Sequence, residues 1–149
     1  MWRRKWADMS ETEIPLGTIH SRGLGVRRAA DAMVRALGGT QITLRIADAS
    51  SGDTNSQLGL TPPMSEDLQI SPAVVRTIAP AANGSKRIEV TLSAKAVKPI
   101  ADEHGVDDIP TWLLTAEGIL FRGKLMHIDT VISDHLGGMD YLYHIMATE

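Results

Sequence analysis

The stretch Ala32-Met33-Val34-Arg35-Ala36-Leu37-Gly38-Gly39-Thr40-Gln41-Ile42-Thr43-Leu44-Arg45 decides the fold, because its hydrophobic period changes from that of a helix to that of a strand. Upstream, Val26, Ala29, Ala30, Met33, Val34 and Leu37 recur at spacings of three and four, with Arg27, Arg28, Asp31 and Arg35 opposite them. That pattern predicts an amphipathic helix over 26–37. Gly38 and Gly39 end it, since glycine accepts the left-handed conformation that closes a helix, and Arg35 suits the negative pole of the dipole. Beyond the glycines, Ile42, Leu44 and Ile46 alternate with Thr43 and Arg45, the signature of a half-buried strand.

The same alternation returns downstream. Ile88, Val90 and Leu92 face one way and Arg87, Glu89 and Thr91 the other, and Pro72 to Ile78 reads as another short strand. The last third reads as a meander: Thr111 to Leu114, Ile119 to Phe121, Leu125 to Ile132, and a final segment in which Tyr141, Tyr143 and Ile145 alternate with Leu142, His144 and Met146. Ala116-Glu117-Gly118, Gly123 and the loop Asp134-His135-Leu136-Gly137-Gly138 separate them. Both faces of the final segment are apolar, so it is expected at the centre of the sheet or packed on a neighbour by its second face. The fold class implied is mainly β: a small β-barrel or sandwich with one amphipathic N-terminal helix and a long inserted loop.

That loop is expected over 48–69, where Ser, Gly, Asp, Asn, Thr and Pro dominate and four acids stand without a base. A connection of this length in a compact domain is either functional or unstructured. Lys95 to Pro110 reads as a loop or broken helical turn, because Pro99 interrupts a helix. Residues 1–25 are expected to form an N-terminal arm, and 26–149 a single domain.

With 149 residues the chain can bury a core without metal or disulfide, and it has no cysteine at all. Thiol nucleophiles and cysteine-ligated metal sites are thereby excluded. No apolar run approaches the ~20 residues needed to span a bilayer, so no membrane association is expected. Charge is uneven: residues 1–45 hold eight Lys and Arg against four acids, and the remainder seven against fourteen. Outside Trp2-Arg3-Arg4-Lys5-Trp6 no basic patch is interleaved with aromatics in the manner of a nucleic-acid reader.

A search for chemistry returns little. His127 and Asp129 would share a strand face, with Asp134 and His135 in the next loop, but no known ligand spacing accompanies them. Gly17, Gly23 and Gly25 precede a helix, as in an anion-binding loop, yet no Lys-Ser/Thr pair follows. No serine lies in a Gly-x-Ser-x-Gly context. The expectation is a protein that is not an enzyme and takes no cofactor. The alternatives are a stand-alone barrel binding a small ligand or peptide, and a metal-dependent enzyme.

Three stretches carry a family resemblance: the helix-to-strand segment 32–45; Leu58-Gly59-Leu60-Thr61-Pro62-Pro63 with Ile70-Ser71-Pro72-Ala73-Val74-Val75-Arg76; and Gly118-Ile119-Leu120-Phe121-Arg122-Gly123-Lys124-Leu125-Met126-His127-Ile128-Asp129-Thr130-Val131, followed by the strand ending Tyr141-Leu142-Tyr143-His144-Ile145. Together they resemble the head–tail joining, or head-completion, proteins of tailed-bacteriophage necks. The resemblance implies a β-barrel assembled as a homo-oligomeric ring between portal or adaptor and tail proteins, located in the virion neck and made in the bacterial host cytoplasm. DNA would pass through the ring without sequence-specific binding. Asp48, Asp53, Glu66 and Asp67 would line the channel, their charge repelling phosphates. Trp2, Arg3, Arg4, Trp6, Arg27, Arg28, Tyr141 and Tyr143 would contact subunits or partners.

Overall fold

A strand at the edge of a sheet leaves a row of backbone N–H and C=O groups unpaired, and closing the sheet on itself removes both edges while turning the apolar faces inward. Here the strands close a ring. The computed structural model describes residues 16–47 and 64–149, with elements in the order α1 (Leu16–Ala36), β1 (Thr40–Ala47), β2 (Ser65–Ile78), β3 (Arg87–Ser93), α2 (Ala94–Glu103), α3 (Ile109–Thr115), β4 (Gly118–Phe121), β5 (Lys124–Leu136) and β6 (Met139–Thr148). The strands form a closed barrel in the order β1-β2-β3-β6-β5-β4, every pairing antiparallel, with β1 meeting β4 to complete it. The small mainly β barrel expected from the alternation is the architecture found.

The alternating residues fill the interior. Ile42, Leu44 and Ile46 meet Leu68, Ile70, Ile88, Val90, Leu92, Ile119, Met126, Tyr143, Ile145 and Ala147 in one buried cluster. Val97 and Ala101 of α2 and Ile109 and Leu113 of α3 join it. The second face of β6 is covered as well: Leu142 packs with Ala30 and Val34 of α1, with Tyr141 and Val74 at the margin.

Several boundaries differ from expectation, each for a local reason. The helix begins at Leu16 and not Val26, so Gly17, Gly23 and Gly25 lie inside α1 and form no loop. Gly23 is where α1 crosses β6; a Cβ there would stand 2.7 Å from the Met139 Sδ. The inward stripe of α1 is also rotated. Asp31 is buried at 4% exposure, while Met33 and Leu37 are exposed at 45% and 64%. β2 begins at Ser65, so 65–69 of the expected loop are strand; Met64 precedes the strand and 48–63 lie outside the described residues. Pro72 sits where β2 changes partner from β1 to β3, beside the register shift between Thr40 and Ile42, so its missing N–H interrupts no ladder.

The segment 95–110 is helical. Pro99 lies within α2, and both it and Lys95, whose carbonyl it leaves without its helical N–H, are exposed residues, while the Ser93 hydroxyl caps the helix by accepting from the Ala96 N–H at 3.2 Å. Thr111 to Leu114, expected as strand, belongs to α3. Asp108 caps that helix, accepting from the Thr111 N–H at 3.3 Å, with Pro110 in the first turn, and this entry chemistry outweighs the short apolar run. β5 runs on to Leu136, so Asp134 and His135 are strand residues and the β5–β6 turn is Gly137-Gly138 alone. Both glycines have positive φ, 59° and 75°, as a two-residue hairpin turn of this hand requires.

Candidate functional site

The barrel interior is occupied by its own side chains, so among the described residues the surfaces open to another molecule are the barrel mouths, the outer faces of the strands and the helices outside. One mouth, where β1 ends and β2 begins, has a cavity of about 420 Å³ lined by Ile46, Ala47, Glu66, His104, Val106, Trp112 and Thr115. His104 ends α2 and tilts against the Trp112 ring, with centroids 5.9 Å apart. Its Nδ1 lies 2.9 Å from the Ile100 carbonyl oxygen, which can only accept, so Nδ1 carries the proton and Nε2 faces Glu66 Oε2 at 3.3 Å. The Ile100 carbonyl, then Glu66, raise the His104 pKa above the ordinary histidine value against the opposing pull of burial.

Glu66 and Asp67, expected in a channel-lining loop, are strand residues: Glu66 faces His104 at the mouth and Asp67 is paired with its cross-strand neighbour Arg45. Arg45 donates to both Asp67 oxygens, Nε at 2.7 Å and an outer nitrogen at 2.9 Å. Those hydrogen bonds hold the Asp67 carboxyl below its usual range. Asp48 and Asp53 lie outside the described residues, as do Trp2, Arg3, Arg4 and Trp6.

The opposite mouth carries a cavity of about 240 Å³ between Thr77, Lys86, Ile88, Phe121, Arg122, Lys124, Met126 and Glu149. Lys124 pairs with Glu149, and the Arg122 guanidinium sits 5.1 Å over the Phe121 ring.

Outside the barrel, α1 and α2 bound a groove of about 270 Å³ floored by Leu24 and Pro99 and walled by Arg27, Arg28, Lys95 and Lys98. Arg28 is exposed, whereas the Arg27 Nε donates to the Asp140 carbonyl at 2.7 Å and so helps bind α1 to β6. Behind the groove Asp31 accepts from the Ser93 hydroxyl at 2.7 Å and from the Arg35 Nε at 3.0 Å, with the Lys95 ammonium at 3.6 Å. Burial pushes the Asp31 carboxyl up; Ser93, Arg35 and Lys95 together outweigh it and hold it below its ordinary value. The two tyrosines expected as contacts are placed differently. Tyr141 is half-buried against the α1 cluster, and Tyr143 is a core residue at 1% exposure, its hydroxyl donating to Asp140 Oδ2 at 3.1 Å.

The metal candidates do not converge. The register between β5 and β6 shifts between Ile128 and Thr130, making Asp129 the extra residue of a bulge, and it accepts from the Thr148 hydroxyl. Asp134 lies 3.0 Å from the Nε2 of His144 across the hairpin on β6, whereas His127 and His135, on the same strand as Asp134, are exposed. Among the described residues no three His, Asp or Glu gather in a way that could hold a metal ion. No described helix is long and apolar enough to cross a membrane.

Sequence reading missed the His104–Trp112 mouth and the Asp31–Ser93 junction. The only signal for the first was a histidine and a tryptophan eight residues apart on either side of a turn. Comparison with protein-family models, curated proteins and solved structures gives no match.

Proposed function

We propose that this chain is a structural interaction protein of a tailed-bacteriophage neck, one subunit of a ring that joins the DNA-filled head, on the portal side, to the tail. The observation that carries the reading is the filled barrel. Leu44, Ile70, Ile88, Leu92, Ile119, Ile145 and Tyr143 occupy the space that a ligand-binding barrel would leave open, so the task falls to outward surfaces. Exposed apolar side chains are available there, among them Met33 and Leu37 at the end of α1 and Ile132 and Leu136 on β5. The Gly118–Val131 stretch that prompted the resemblance is the β4–β5 hairpin and its continuation, and β4 supplies the strand that closes the barrel against β1.

In this proposal the ring meets portal or adaptor proteins on one side and tail proteins on the other, and DNA passes through without sequence-specific contacts. Glu66 and Asp67 no longer serve as free channel charges, since His104 and Arg45 engage them. Deleting the gene from the phage or prophage that encodes it tests the reading. The expected result is filled heads and free tails that do not join, with joining restored by the gene supplied in trans. Infectious tailed particles from the deletion strain would refute it.

A further inference from the structure

Charge in this chain is segregated in a way that folding does not explain. Residues 16–28 contain Arg22, Arg27 and Arg28 and no carboxylate; residues 99–121 contain Asp102, Glu103, Asp107, Asp108 and Glu117 and no Lys or Arg. The fold adds Lys95 and Lys98 to the first group, around the groove floored by Leu24 and Pro99, and gathers Asp102 to Asp108 at the corner where α2 turns into α3.

Part of this charge is used internally. Lys95 reaches Asp31, Lys98 holds Asp102 at 2.5 Å, and Asp108 caps α3. Among the described residues no carboxylate pairs with Arg27 or Arg28, and no Lys or Arg pairs with Glu103 or Asp107. Arg28, Glu103 and Asp107 are all exposed.

The order of charges along α2 is a second, independent observation. Its lysines lie in the first half and its acids, Asp102 and Glu103, in the last turn, with no acid in the first turn and no base in the last. A helix dipole favours the reverse arrangement, so apart from the i,i+4 pair Lys98–Asp102 these positions do not serve the helix. Lys98 and Asp102 meet within the chain, but Arg28 on the groove side and Glu103 and Asp107 on the corner have no opposite charge paired with them among the described residues.

We infer that the basic groove between α1 and α2 of one copy receives the acidic α2–α3 corner of a second copy, in a head-to-tail contact. Arg28 faces Glu103 and Asp107 of the neighbour, Lys98 borders the contact while paired with Asp102 of its own helix, and the exposed Leu24 of the groove is covered. Such a contact is heterologous: each copy keeps one groove and one corner free for the next, which is the geometry that closes rings. The inference rests on the proposed ring and names its subunit contact.

Absence of cysteine makes the test clean. Arg28→Cys and Asp107→Cys variants are prepared separately, checked for unchanged thermal unfolding, and mixed in equal amounts under mild oxidation. A second pair, Lys98→Cys with Glu103→Cys, repeats the measurement at independent positions. The expected product is the mixed disulfide, well above the statistical share and above either homodimer. It should be lost at 1 M salt, where screening shortens the electrostatic reach to about 3 Å. Homodimers of a single variant in preference to the mixed product, a statistical mixture, or no disulfide at the highest concentration at which the protein stays clear would each overturn the contact. A mixed disulfide from a protein whose deletion leaves tailed, infectious phage removes the neck reading alone; defective joining without the mixed disulfide removes the contact alone.

Discussion

Replacing Asp31 by alanine tests how α1 is fastened to the barrel. Its carboxylate, 4% exposed, joins three elements: it accepts from Ser93 at the end of β3, from Arg35 one turn along α1, and faces Lys95 on α2. The Ser93 hydroxyl at the same time caps α2. A buried hydrogen bond to a charged group contributes about 1.5–3 kcal/mol. The contacts to Arg35 and Lys95, side chains 60% and 59% exposed, add little, roughly 1 kcal/mol at most together. Asp31→Ala is therefore expected to cost about 3 kcal/mol, and Asp31→Asn, which keeps an acceptor for Ser93, about half of that.

Ser93→Ala loses the same bond and the cap, for a similar cost of about 3 kcal/mol, and the double variant falls short of additivity by about 1.5–3 kcal/mol. Urea unfolding at neutral pH measures the four variants against the wild type. The pH dependence supplies a second readout. Because the folded Asp31 pKa is depressed, its contribution is present above the unfolded value near 3.8 and is lost as pH falls through the folded value. Asp31→Ala removes that acid-side slope. A cost for Asp31→Ala below about 0.5 kcal/mol, or full additivity with Ser93→Ala, would refute the assignment of Asp31 as the junction.

Three further outcomes are expected. Gly118→Ala places a Cβ 2.4 Å from the Met126 carbonyl oxygen across the β4–β5 pair, a backbone clash, and destabilises by about 2 kcal/mol or more, whereas Gly23→Ala meets only the movable Met139 sulfur at 2.7 Å and costs well under that; thermal unfolding compares them. Leu44→Ala, at 0% exposure in the barrel core, lowers stability by about 2–5 kcal/mol in the same assay. His104 has a raised pKa, so its contribution is full below its unfolded value of 6.5 and is lost as pH rises through the folded value; ring-proton titration by NMR should show the raised pKa, and Glu66→Gln should bring it down.

The barrel was legible where local pattern and tertiary burial agree. Ile42, Leu44 and Ile46 alternate in the sequence and face the core in the structure. Legibility failed where a residue's usual meaning was overruled by its surroundings. Pro99 argues against a helix, yet its lost bond falls on the exposed side of α2. Asp134 and His135 read as loop, but β6 pairs with them up to the glycine turn. Asp31 looks like a surface acid on a helix because its partner Ser93 lies 62 positions away, beyond the reach of any local period. For the same reason Tyr143, read as a contact, is core: which face of β6 turns inward is set by its register with β3 and β5.

In the proposed function, outward surfaces of a filled barrel join this protein to its neighbours in a phage neck. Cryo-electron microscopy of purified particles carrying the wild-type protein, with an antibody against it as fiducial label, measures that most directly. The account predicts label at the junction between head and tail and a ring of this six-stranded barrel at that level; intact necks without label, or label confined to unassembled protein, would contradict it.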